Sequence, residues 1–283
     1  MTHPALVPGA VAVVTGGAAG IGLAAAKRFA RLGLRVCIAD LDAARLDRAA
    51  AELAALAANG AHDVLAMVTD VSRVEDLQRL KAAVDDRFGD TDVLMNNAGI
   101  QPGSSLFSGD HWQRILEVNL WSAIHATQLF VPAMLSRERP GLVINSGSKQ
   151  GITTPPGDPA YNVSKAALKA FTEALQHELR NTPGAKLSAH LLIPGFVFTE
   201  LTRNGRSEKP AAAWTPEQTA DFMFERLDAG DFYILCPDND VPRALDEKRI
   251  LWAAGDIVEN RPPLSRWHAD YAAAFAAYLQ QPR

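Results

Sequence analysis

The chain has 283 residues and only two cysteines, Cys37 and Cys236, each within an apolar stretch and far apart in sequence. That favours buried reduced thiols over a disulfide framework and suits a reducing cytoplasm, the expected location. Long hydrophobic runs are also missing. The most apolar stretch, 187–198, contains His190, Pro194 and Gly195 and is too short to cross a bilayer, so no membrane partner is expected. The opening Met1-Thr2-His3-Pro4 lacks a basic region followed by an apolar one, so no signal peptide is expected. Charge of one sign is not concentrated anywhere: 28 basic against 32 acidic residues leave a net −4, without the basic footprint of a nucleic-acid binder. The seven histidines form no His-Glu-x-x-His, because His177-Glu178 lacks the second histidine, and no metal site is expected. Ser164 stands outside any Gly-x-Ser-x-Gly context, which removes a hydrolase elbow. No internal repeat or low-complexity linker marks a boundary, so the expectation is one domain over 1–283.

What the chain does have is alternation. Apolar, β-branched runs at 11–15, 35–39, 64–69 and 92–95 read as strands. Helical patterns at 21–32, 43–58 and 74–88 separate them, with Asn59-Gly60 expected to stop the second. Repeated β-α units of this length imply a parallel, doubly wound α/β sheet with right-handed crossovers and helices on both faces.

The first strand-to-helix turn reads Thr15-Gly16-Gly17-Ala18-Ala19-Gly20-Ile21-Gly22. Glycines let a backbone turn sharply and approach a ligand, and the helix that follows offers unpaired N–H groups to a phosphate. Alone, such a turn could be a tight structural connection; opening the first β-α unit, it reads as a phosphate site. Asp40 closes the second strand, where an acidic side chain bonds the adenosine ribose hydroxyls and repels a 2′-phosphate. NAD is therefore expected rather than NADP, unless Asp40 only caps the next helix, a task open to Asp42 as well. Asp70-Val71 and Asn96-Asn97-Ala98-Gly99 follow the third and fourth strands, and ligands of open parallel sheets bind at that edge. The run 142–146 is another strand, with Ser148 just past it. A helix then opens with Tyr161 and Lys165, one turn apart on one face. A hydroxyl, a phenol and an ammonium at that edge suggest proton transfer, although Tyr-x-x-x-Lys alone is a common pattern.

The ordered set Thr15-Gly16-x-x-x-Gly20-Ile21-Gly22, Asn96-Asn97-Ala98-Gly99, Asn119, Ser148, Tyr161-x-x-x-Lys165 and Pro194-Gly195 resembles the short-chain dehydrogenase/reductase family over roughly residues 8–200. The resemblance implies a Rossmann-like domain with a seven-stranded parallel sheet. It implies that Tyr161 is the catalytic acid/base, Lys165 its ribose-binding partner, Ser148 the holder of the substrate oxygen, and Asn119 the support of a proton relay through water. It places Gly16, Ala19, Gly20, Ile21, Gly22, Asp40, Asp70 and Val71 against the cofactor. Asn97, Ala98 and Gly99 would line its adenosine side, and Pro194, Gly195, Val197 and Thr199 its carboxamide end. Chemically, a free tyrosine with a pKa of ~10 is a poor base. A Lys165 ammonium and an oxidised nicotinamide would favour its phenolate. Asn119 itself lies in a long helical pattern among apolar neighbours.

Downstream, strands are expected at 186–193 and 231–236 and a helix at 216–228. The span 200–230 includes a polar stretch expected to form a substrate lid, with Trp214 either reaching the pocket or anchoring the core. Residues 241–283 form an extension beyond the family's usual end, with helices expected at 244–254 and 267–279 around Asn260-Arg261-Pro262-Pro263. It could shape the pocket or pack between subunits. Gln150, Ile152, Thr153, Pro155 and Pro156 are candidates to face the substrate, while Phe107, Trp112, Trp121 and Phe198 suggest an apolar ligand. The expected activity is hydride transfer between NAD and a small-molecule secondary alcohol or ketone, in a homodimer or homotetramer. The alternatives are a non-catalytic dinucleotide sensor of the same fold, or a dehydrogenase of dihydrodiols or ring alcohols.

Overall fold

Strand β1 (Val11–Thr15) is five buried residues with no polar side chain before Thr15, a run that only a strand covered on both faces accommodates. In the computed structural model, which describes residues 3–281, it lies inside a seven-stranded, all-parallel sheet of order β3-β2-β1-β4-β5-β6-β7. The other strands are β2 (Arg35–Asp40), β3 (Val64–Val68), β4 (Val93–Asn96), β5 (Gly141–Ser146), β6 (Leu187–Ile193) and β7 (Tyr233–Leu235). The extreme ends of the expected 1–283 unit, Met1-Thr2 of the leader reading, and residues 282–283 of the extension lie outside the described residues.

Side chains alternate across the sheet, so each strand feeds two cores. Ala12, Val14, Val36 and Ile38 meet Phe29 of α1 (Gly20–Arg31) and Phe224 of α8 (Pro216–Asp228) on one face. Val11, Val13, Cys37 and Ala39 meet Leu77 and Leu80 of α3 (Val74–Phe88) and Phe130 of α5 (Ser122–Ser136) on the other. The two free cysteines fall on opposite faces, and burial pushes both thiols up to about 12. The remaining helices are α2 (Ala43–Ala54), α4 (Trp112–Leu116), α6 (Gln150–Thr153), α7 (Pro159–Asn181), α9 (Arg243–Val258) and α10 (Ala272–Gln280).

Asp92 pins the bottom of the sheet. Its buried carboxylate accepts from the Val11 amide at 2.8 Å and from Arg139 at 2.8 Å, while its carbonyl accepts from Leu142. Beside it, the N-terminal segment docks by His3, whose ring shares the Ser188 hydroxyl with His190. Burial, and then the neighbouring His190, lower His3 to about 4. Between about 4 and its ordinary 6.5, the unfolded chain binds a proton that the folded one refuses, so stability present above 6.5 is lost as pH falls towards 4. Urea midpoints at pH 7 and about 4.5 should therefore fall further apart for the wild type than for His3→Gln; equal separations would remove His3 from the acid response.

Several boundaries differ from the sequence reading. Helix α2 ends at Ala54 rather than 58, because the Leu53 carbonyl takes the Leu56 and Ala57 amides and Asp63 captures the Asn59 amide. Strand β7 covers only 233–235 of the expected 231–236, since Asp231 is held by Arg226 and its carbonyl by the His190 ring. Helix α9 runs to Val258, four residues beyond the expectation. The segment 267–279 is helical only from Ala272, after 3₁₀ turns at Ser265–Trp267 and Ala269–Tyr271. Leu264 turns the chain there with φ +59°, and Asp256 receives the Ser265 amide and hydroxyl.

Candidate active site

A cleft of about 310 Å³ opens where β1, β2, β4, β5 and β6 end, and it is built from the tips of those strands. At its base is the glycine turn. Gly16 and Gly20 have φ of +61° and +53°, in the left-handed region that a side chain disfavours. At Gly22 the requirement is room, because a Cβ there would stand 2.2 Å from the Gly16 carbonyl oxygen. Ala19 begins α1 without a side-chain cap, so the first amides of that helix, at Gly20 and Ile21, line the cleft. Uncapped amides, backbone at positive φ and open space describe a cradle that fits a pyrophosphate.

Asp40 lines the same cleft and accepts from the Ala18 amide at 3.2 Å and the Leu41 amide at 2.8 Å. It does not cap α2; Asp42 does, accepting from the Arg45 amide at 3.0 Å. Asp70 and Val71 flank the opening beyond β3, with the Asp70 carboxylate tied to Ser72. Asn97 donates to the carbonyls of Thr15 and Gly16, and the Thr15 hydroxyl accepts the Asn97 and Ala98 amides. These bonds bolt the Asn97-Ala98-Gly99 backbone to the glycine turn. Pro194, Gly195, Val197 and Thr199 line the far side after β6.

Ser148, Tyr161 and Lys165 meet on the cleft wall. The Lys165 ammonium donates to the Ser146 carbonyl at 2.7 Å and lies 5.7 Å from the Tyr161 ring centre. Burial brings Lys165 down to about 8. Burial raises the Tyr161 phenol to about 12, with Asp158 adding to the rise and a hydrogen bond from Ser148 opposing it. The expected lowering by Lys165 does not figure among the causes of this shift: desolvation of the phenolate dominates. The Ser148 oxygen also accepts from the Gln150 amide at 3.1 Å, which orients it.

Asn119 and Gly22 stand just behind the cleft lining rather than on it. The expected regular helix around Asn119 is instead a π-helical turn, Glu117–Trp121, between α4 and α5. Its side chain brackets one peptide, accepting from the Ile100 amide at 2.8 Å and donating to the Ile100 carbonyl at 3.0 Å. It also donates to Ser164.

Sequence reading missed a rim. Arg45 pairs with Asp42 at 3.0 Å and reaches Glu200, after β6, at 2.5 Å; Arg45 and Glu200 both line the cleft. The one available signal was the placement of Arg45 in the first turn after Asp40. Ser146, Arg114, Val118 and Thr202 also line it, with no pattern to announce them. Conversely, Gln150, Ile152, Thr153, Pro155 and Pro156 do not line this cleft. Trp214 anchors the core, pairing with Val197 and packing edge-on against Phe222. The aromatic residues read as ligand contacts are placed elsewhere: Phe107 is fully exposed, Trp112 donates to the Ser105 carbonyl, and Trp121 stacks on His125. Among the described residues, no cluster of histidine, cysteine and carboxylate could hold a metal, and no helix is long and apolar enough to cross a membrane.

Against known proteins, a family model described as short chain dehydrogenase matches residues 10–210. The chain is 34% identical over 268 residues to the 1-deoxy-11-beta-hydroxypentalenate dehydrogenase of Streptomyces exfoliatus, covering 92% of this chain and 95% of that one. It is 29% identical to the D-beta-hydroxybutyrate dehydrogenase of Cupriavidus necator, over 79% and 85% of the two chains. A crystal structure of a short chain dehydrogenase/reductase from Burkholderia phymatum in complex with NAD superposes with a TM-score of 0.80 at 29% identity, over 93% and 98% of the two chains.

Proposed function

Because this chain belongs to the short-chain dehydrogenase family, we propose that it moves a hydride between a secondary alcohol or ketone and NAD, with Tyr161 as the acid/base. The observation that carries the reading is the single cleft where the glycine turn and Asp40 stand opposite Ser148, Tyr161 and Lys165. Hydroxyl-bearing substrates are supported by the names of the relatives. NAD is supported by the Burkholderia structure and by the charge at the ribose end, where Asp40 lines the cleft and the guanidinium of Arg45 is already paired with Asp42 and Glu200.

The residues lining the cleft would hold a dinucleotide along its length: α1 amides would take the pyrophosphate, Asp40 the adenosine ribose, Lys165 the second ribose, and Pro194 to Thr199 the carboxamide. When bound, the dinucleotide supplies the carbon that takes or returns the hydride. The chain supplies the proton path. Ser148 donates to the substrate oxygen and stabilises charge developing on it. Tyr161 takes the hydroxyl proton during oxidation and returns it during reduction. Lys165, fixed by the Ser146 carbonyl, holds positive charge beside the phenol and favours its ionised form. Asn119 keeps the Gly99–Ile100 backbone in place, and so holds the wall against which Lys165 packs.

A panel of secondary alcohols and ketones, followed by absorbance of the reduced cofactor, should show turnover with NAD; binding without turnover across the panel would leave a dinucleotide sensor instead. Asp40→Ala should lower the preference for NAD over NADP by roughly 10-fold or more, the scale of one charge-assisted hydrogen bond. An unchanged affinity ratio would take the ribose role from Asp40.

A further inference from the structure

Lys149, the residue after Ser148, brings together three charges, of which Asp246 is buried and the other two partly buried. Its ammonium lies 2.6 Å from Asp246 of α9 and 3.2 Å from Asp238 in the turn after β7. None of the three side chains is more than 17% exposed. None of them lines the cleft. Taking such charges out of water is costly; Lys149 hydrogen-bonds Asp238, while its contact with Asp246 is a close ion pair without good hydrogen-bond geometry. Burial pushes the Asp246 carboxyl up from its usual range, and Lys149 is the main group drawing it back.

The trio is wired to the Ser148 turn through the backbone. The Lys149 amide donates to the Pro194 carbonyl at 3.2 Å, and the Lys149 carbonyl accepts the Ile152 and Thr153 amides. Ser148 and Gln150 on either side are joined by the bond that sets the Ser148 oxygen. Asp238 also receives the Phe196 amide at 3.4 Å, and a Cβ on Gly195 would stand 2.6 Å from that carboxylate and 2.8 Å from the Lys149 nitrogen. Glycine at 195 therefore leaves room for the trio. Two further contacts come from the same extension. Ile250 of α9 joins Ile152 on the Leu191–Ile193–Leu235 cluster, and the Trp267 indole donates to the Thr153 carbonyl at 3.4 Å.

We propose that the C-terminal extension is a working part of the active site: Asp246, through Lys149 and with Asp238, braces the 148–153 segment and so aims the Ser148 hydroxyl. Lys149 and Asp246 are positioning residues. The extension shapes the site from behind, by holding one turn, rather than by lining the pocket. The catalytic half of this statement rests on the dehydrogenase reading above; the brace itself does not.

Asp246→Asn keeps the shape and removes the charge, and Lys149→Gln opens the same pair from the other side. Both should speed amide exchange at residues 151–153 by about 10-fold or more while the sheet amides stay protected. Both should lower kcat by about 10-fold to 100-fold, the effect of a misplaced catalytic group, with NAD affinity held within about twofold. The double variant should lose little more than either single one, because the two act as a pair. Asp246→Glu, which restores the carboxylate, should recover most of the loss, an effect that a merely structural role would not produce. Unchanged exchange at 151–153 would overturn the brace, and so would exchange that loosens throughout the sheet. Loosened exchange with unchanged kcat would overturn the aiming of Ser148. Loosened exchange in a protein whose wild type turns over no alcohol or ketone would leave the brace standing and remove the dehydrogenase reading alone.

Discussion

Replacing Tyr161 by phenylalanine should reduce turnover by roughly 10²–10⁴-fold, the contribution of a well-placed general acid/base, while leaving NAD binding within a few-fold of wild type. The ring of Phe keeps the apolar volume at a buried position, so the fold should not respond. Lys165 keeps its bond to the Ser146 carbonyl and Ser148 keeps the Gln150 amide, although the Ser148 hydroxyl loses the phenol as a partner. What disappears is the phenol placed to pass a proton to or from a substrate oxygen held by Ser148. Steady-state rates with the best alcohol of the panel, beside a calorimetric titration with NAD, separate the two effects. Turnover preserved in the variant would transfer the proton to another group. The direction of the pH dependence follows from burial: protein groups alone hold the phenol at about 12, so alcohol oxidation should quicken as pH rises from neutrality.

Gly22→Ala should be the most damaging change outside the catalytic trio. The added methyl would lie 2.2 Å from the Gly16 carbonyl oxygen and 2.5 Å from the Asn97 side-chain nitrogen that donates to it. Backbone cannot yield there without lifting the glycine turn from Asn97, so one methyl disturbs both walls of the cofactor cradle. Overpacking of this kind costs about 1–3 kcal/mol, and a displaced turn should weaken NAD by at least about 10-fold. Gly109→Ala makes the control, because nothing lies within 4 Å of its Cβ position. Its unfolding free energy in urea should stay within about 0.5 kcal/mol of wild type. A Gly22→Ala variant that binds NAD normally would show that the turn has slack the geometry does not reveal.

The regular part of the fold was readable because strands such as β1 and β4 are almost wholly apolar runs and the glycine turn after β1 has a backbone reason. Helices α3 and α8 fall at their expected limits, 74–88 and 216–228, since apolar spacing and, for α8, a Thr215–Gln218 capping box mark them locally. The cleft gathered seventeen of the nineteen expected site positions, with Asn119 and Gly22 one layer behind. What stayed hidden was long-range. Nothing near Arg45 in sequence announces Glu200, and nothing near Lys149 announces Asp238 or Asp246; charges that far apart reveal themselves only when packed. The π-helical turn at Asn119 was equally invisible, because one extra residue in a helical turn leaves the surrounding apolar pattern readable as plain helix. Aromatic content misled for a general reason: composition says that Phe107 or Trp121 will bury area, not against what.

The sheet order sets a timetable for assembly on the ribosome. Strand β1 pairs with β2 almost at once, but its other edge is reserved for β4, and the Asp92 carboxylate that fastens Val11 is 81 residues further along the chain. At about 5–20 residues per second, that leaves β1 half-paired for roughly 4–16 s of synthesis. During that interval the nascent chain carries an apolar strand with an open hydrogen-bonding edge, the feature that most readily recruits a stray strand. The interior position that gives β1 a neighbour on each edge in the finished protein leaves one of those edges open while the chain is being made.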